Sequence, residues 1–75
     1  LTEANYARIR PGMSHDEVRR ILGSPGSTTV FPLKQEEVWD WRIAGDLQWE
    51  EWHLYVNFGL DGRVRSTSKA MIQKG

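Results

Sequence analysis

The sequence predicts an α+β domain: two N-terminal helices packed on one face of a three-stranded antiparallel β-meander (ααβββ). Three observations carry this expectation. A helix-capping pattern opens at Ser14. After Glu37 the apolar period changes from that of a helix to two. An Asp61-Gly62 turn signal then closes the cleanest alternating run in the chain. Helices that precede consecutive strands segregate to one side of the resulting sheet.

Each element has its own local reason. Thr2 can cap a short helix over 2–9, in which Tyr6 and Ile9 share a face, and Pro11-Gly12 stops it. In the second helix, Ser14 and Glu17 form a capping box, with Met13 and Val18 placed as a hydrophobic staple. Asp16 and Glu17 suit the positive end of the helix dipole. Val18, Ile21 and Leu22 make one stripe, and Gly23 with Pro25 ends the helix, giving bounds of His15 to Leu22. Gly26 to Gln35 reads as a loop that can hold a short edge strand at Thr28-Thr29-Val30-Phe31. Trp39, Trp41 and Ile43 alternate with Val38, Asp40 and Arg42 as a half-buried strand. Ala44 to Glu50 is a hairpin connection. Trp52, Leu54, Val56 and Phe58 then point one way, and His53, Tyr55 and Asn57 the other. A last strand runs Arg63 to Ser68 with Val64 inward. Residues 1–68 form the domain and 69–75 are expected to be a frayed tail.

The expected core is Ile9, Met13, Val18, Ile21, Leu22, Trp39, Trp41, Ile43, Trp52, Leu54, Val56, Phe58 and Val64. The opposite sheet face should carry Asp40, Arg42, His53, Tyr55, Asn57, Arg63 and Arg65.

Composition bounds the function. With 75 residues the chain is a single domain. At this size it buries only about 60% of the surface exposed when unfolded. It has no Cys to staple the fold, so the four Trp must supply core density. Ten basic and ten acidic residues cancel, which argues against phosphate neutralisation on nucleic acid and against an electrostatic anchor on anionic lipid. No apolar run reaches the roughly 20 residues of a membrane-spanning helix. A chain that begins at Leu1 reads as a domain cut from a longer precursor, with any processing segment upstream.

The chemical constellations favour structural readings. Ser14-His15-Asp16 is consecutive on a helix and cannot converge as a triad. Glu51, His53, Tyr55 and Asn57 share a strand face that reads as solvated, and two His without Cys are too few for a structural zinc site. Glu36-Glu37 and Glu50-Glu51 are neighbours on strands, so each pair points to opposite faces. Gly23-Ser24-Pro25-Gly26 follows a helix instead of opening one, the wrong polarity for a phosphate cradle. No metal, cofactor or catalytic group is expected. Among the aromatics, Trp49 breaks the inward parity and is a candidate partner-binding anchor. Arg42, Tyr55 and Arg65 form a comparable candidate patch on the outer sheet face. The sheet's edge strands leave a dimer open.

The run Ile9-Arg10-Pro11-Gly12-Met13-Ser14, then Glu17-Val18, then Ile21-Leu22-Gly23-Ser24-Pro25, resembles the signature of the SmpA/OmlA (BamE-like) outer-membrane lipoprotein domain family. Val38-Trp39-Asp40-Trp41 and the stretch from Leu54 to Val64 are similar to its strand half. The resemblance implies the ααβββ fold, no enzymatic activity, and a lipoprotein at the periplasmic face of the bacterial outer membrane. BamE-like members are accessory subunits that support insertion of β-barrel proteins, so the implied partners are outer-membrane assembly proteins. The lipidated Cys would lie outside this chain and would be the only membrane attachment. A similar fold occurs in β-lactamase inhibitor proteins, whose sheet binds another protein, so a soluble periplasmic inhibitor or binding protein is the alternative expectation.

Overall fold

The computed structural model describes residues 1–45, 47 and 49–73. Its elements are α1 (Glu3–Tyr6), α2 (His15–Leu22), β1 (Ser27–Phe31), a 3₁₀ turn (Pro32–Lys34), β2 (Glu36–Ala44), β3 (Glu50–Gly59) and β4 (Val64–Gln73). The strands form one antiparallel sheet in the order β1-β2-β3-β4. The class is α+β as expected, but the sheet has four strands and not three. The additional strand, β1, lies in the stretch read as a loop, where the sequence allows a short edge strand at 28–31 that the three-stranded expectation does not count. All five of its residues are exposed, so it has no apolar alternation to announce it. It is held by its ladder to β2, from Ser27 opposite Asp40 to Phe31 opposite Glu36. Gln35, at φ 53, and the 3₁₀ turn before it make the reversal between them.

Local signals account for the helices. In α2, Ser14 Oγ accepts from Glu17 N at 3.2 Å and Ser14 N donates to Glu17 Oε1 at 3.1 Å, a complete capping box. The Ser14 backbone N–H holds the Glu17 carboxyl below the usual carboxylate range. Thr2 caps α1 by accepting from Asn5 N, but the helix ends at Tyr6, short of the expected Ile9. Residues 12–14 then tie the helical half to β4: Gly12 N donates to Val64 O and Val64 N to Met13 O, each at 2.8 Å.

The core lies between the helices and one sheet face. Phe58, Leu54, Val18 and Val56 are fully buried, joined by Tyr6, Ile9, Leu22, Trp39, Trp41 and Val64. Burying a large apolar side chain contributes about 1.5–3 kcal/mol, so this cluster is the main source of stability. Met13, Ile21 and Ile43 pack at its margin, half-buried. Trp52 is only half-buried and stands outside the cluster, at the hairpin end of β3. Tyr6 was not among the expected core residues. Its ring enters the core, and its hydroxyl donates toward Tyr55 O at 3.1 Å and Ser68 O at 2.7 Å, clamping α1 to β3 and β4.

The last strand runs to Gln73, so 69–73, expected to fray, pair with β3. The β3–β4 register shifts between Asn57 and Phe58: Asn57 faces Ser66 while Phe58 faces Val64, which leaves Arg65 as the extra residue. Arg63 precedes the strand, and its guanidinium donates to Gly12 O at 3.2 Å, so it is not part of the outer face. Asp46 and Gln48 of the expected hairpin connection, and Lys74 and Gly75 of the expected tail, lie outside the described residues.

Candidate functional site

The helices cover one side of the sheet, and the other side presents functional groups. Strand register places Asp40 opposite Tyr55, Arg42 opposite His53 and Ala44 opposite Glu51, all on this outer face. His53 is its centre. It is 7% exposed, the one buried polar side chain among the described residues. Its Nδ1 lies 3.0 Å from both oxygens of Asp40, and its Nε2 lies 3.0 Å from Glu51 Oε2. The Tyr55 ring stacks beside it, centroids 5.9 Å apart and planes 22° apart. The Asp40 carboxylate on Nδ1 raises the His53 pKa above 6.5; burial opposes this, and Glu51 adds to it.

The face expected to be solvated is therefore partly closed. Glu51, His53, Tyr55 and Asn57 do share it, but Asn57 is half-buried and donates its side-chain amide to Glu36. No residue spacing announced the pairing of Asp40 with His53, because it depends on the β2–β3 register. Chemically the arrangement favours a protonated ring. Both ring nitrogens are engaged by carboxylates, which leaves neither to serve as a base toward a nucleophile. Among the described residues no group of three or more His, Asp or Glu is arranged to hold a metal ion.

The four candidate contact residues separate into groups. Arg42 is exposed and Tyr55 half-buried, and both flank His53. Trp49 is 44% exposed in the β2–β3 connection, beside Leu47, which is also exposed. Arg65 lies at the opposite end of β3. It crosses Gly59, where a Cβ would stand 2.7 Å from Arg65 Nε, and its Nη1 is 3.9 Å from Glu36 Oε2. Four residues of strand, about 14 Å, separate Tyr55 from Gly59, so Arg65 does not join the Arg42–Tyr55 group.

The Ser14-His15-Asp16 run resolves into structure. Ser14 caps α2. The His15 ring packs on Phe58 at 4.2 Å and Trp39 at 4.9 Å between centroids, with Nε2 2.8 Å from Glu37 Oε1. It is a hinge pin between helix and sheet on the core side. A second apolar feature was not foreseen: Val30, Phe31, Leu33 and Leu60 are exposed together, around the β1–β2 and β3–β4 turns at the Gly59 end.

Comparison with known proteins agrees with this architecture. No curated protein sequence matches the chain. A solved crystal structure described as the osmotically inducible lipoprotein OsmE is similar to it, with a TM-score of 0.74 and 28% identity. That likeness covers 89% of this chain and 68% of the other. The family model for the outer membrane protein assembly factor BamE domain matches residues 1–68, which is nearly all of the sheet and both helices. The chain thus belongs to the BamE domain family.

Proposed function

We propose that this domain is a non-catalytic protein-binding module of an outer-membrane lipoprotein, acting in the assembly of β-barrel proteins or in envelope integrity. The family match over residues 1–68 is the observation that carries this reading. Its similarity to the OsmE lipoprotein supports a location at the periplasmic face of the outer membrane, held by a lipid. The geometry of the outer face is in keeping with binding. Arg42 and Tyr55 stand on a rigid strand pair, and Trp49 is exposed at the same end, the residue types that dominate contact energy in interfaces.

The test is site-specific photo-crosslinking in living cells, with the probe at Trp49, Arg42 or Arg65 of the intact precursor. The reading expects barrel-assembly components in the products from Trp49 and Arg42, with fewer from Arg65. Failure of all three positions to capture any envelope protein overturns it.

A further inference from the structure

Among the charged groups of the sheet, the His53 cluster is the one whose geometry depends on a single proton. Both ring nitrogens point at carboxylate oxygens, 3.0 Å from Asp40 on one side and 3.0 Å from Glu51 on the other. Carboxylates only accept, so both contacts are hydrogen bonds only when both nitrogens carry hydrogen. A neutral imidazole has one N–H, and its second nitrogen would meet a carboxylate lone pair to lone pair. The two carboxylates also belong to different strands. Asp40 is on β2, and Glu51 is on β3 at the mouth of the hairpin, opposite Ala44.

We propose that His53 is a proton-operated clasp on the β2–β3 hairpin: as imidazolium it ties Asp40 to Glu51, and on losing a proton it keeps Asp40 and lets go of Glu51. The proton leaves from Nε2 to solvent. Nδ1 keeps its hydrogen because both Asp40 oxygens share it. Nε2 then repels Glu51 Oε2, and the mouth of the hairpin loses one of its cross-links. The backbone bond from Gly45 N to Glu50 O, 3.2 Å long, adjoins that mouth. Leu47 and Trp49 are carried by the same connection, so the proton sets how firmly those exposed apolar side chains are held.

The groups that face the ring are few. From β2 come Asp40 and Arg42, and from β3 Glu51 and Tyr55. Register brings Ala70 of β4 opposite His53, with Ser68 and Ile72 on either side, none of them titratable near neutrality. Arg42 is exposed and disfavours protonation, while the two carboxylates in hydrogen-bond contact with the ring favour it. The other histidine, His15, lies on the core side against Phe58 and Trp39, so its ring signals report a separate site.

The test is an NMR titration of the full chain, following the ring signals of both histidines and the backbone amides of Ala44, Gly45, Glu50 and Glu51. The clasp expects the His53 midpoint to lie above 6.5. It also expects the four amides to shift with that same midpoint and not with that of His15. In Glu51→Gln the amide shifts should be lost while the ring still titrates, because glutamine can donate to the bare nitrogen. A His53 midpoint at or below 6.5, amides that do not follow it, or amide shifts that persist in Glu51→Gln would each overturn the proposal.

Discussion

Gly23 offers a sharp test of how this backbone was specified. It ends α2 at φ 82 and ψ −172, and its N–H closes the helix on Arg19 O at 2.7 Å. The sequence marks it as a helix stop, and a left-handed helical conformation is the common form of that stop. The observed conformation is instead extended with positive φ, a region essentially restricted to glycine, where another residue costs about 1–3 kcal/mol. A Cβ at this position meets nothing within 4 Å, so neither clash nor new packing alters that cost. Replacing Gly by Ala also narrows the unfolded ensemble, which returns about 0.4–1 kcal/mol. The net expectation for Gly23→Ala is a loss of about 0–2.6 kcal/mol, centred on about 1.3 kcal/mol. For a domain of this size each kcal/mol moves the melting point by about 4–8 °C, so a fall near 8 °C is expected by circular dichroism. The mirror test isolates the cause. D-alanine, placed by chemical synthesis, finds this φ and ψ relaxed, because their mirror image is ordinary extended backbone for an L residue. It should melt at or a few degrees above the parent. Equal melting of the L- and D-alanine chains would refute the strain argument.

Other predictions concern the clamp, the cluster and the candidate anchor. Tyr6→Phe keeps the ring but leaves Tyr55 O and Ser68 O without the hydroxyl, and should lower stability by about 1–2 kcal/mol in urea unfolding; no change would mean that solvent satisfies both carbonyls equally well. Because the folded pKa of His53 is raised, its contribution to stability is complete below 6.5 and is lost as pH rises through the folded value. The melting point should therefore fall across that window, and His53→Gln should flatten the decline; a rise in the parent would contradict the carboxylate pairing. Trp49→Ala should leave melting within about 0.5 kcal/mol of the parent, as for an exposed site, while reducing photo-crosslinked partner recovery. A large drop in melting would instead assign Trp49 to structure.

Where local chemistry decides the structure, the sequence was a good guide. The bounds of α2 follow from Ser14, Glu17 and Gly23 alone, because caps act within a few residues. Parity along β2 and β3 placed Trp39, Trp41, Leu54, Val56 and Phe58 inward, since a half-buried strand writes its burial as alternation. β1 was legible only as a short edge strand within a loop, at 28–31, because it is exposed on both faces and its pairing resides in backbone bonds that no side chain reports. The continuation of β4 through 73 escaped for the same reason, with Lys69 and Gln73 breaking any apolar rhythm. Of the outer face, the membership of Arg42 and Tyr55 was legible, but the burial of His53 was not. It arises from a diagonal contact fixed by the β2–β3 register, information that only the paired strands contain.

The sequential strand order also dictates how the chain assembles. Each β-strand has its neighbour in sequence as its neighbour in space, so the sheet can grow hairpin by hairpin with short loops to close. The first thirteen residues are different: Tyr6 reaches Ser68, and Gly12 and Met13 reach Val64, at the far end of the chain. Those contacts close loops of more than fifty residues, which costs more chain entropy and is recovered only once the sheet exists to receive them. Docking of the N-terminal segment is thus expected to be the late, rate-limiting step of folding. Until it happens, the part of the apolar face that Tyr6 and Ile9 cover stays open to whatever binds nascent chains.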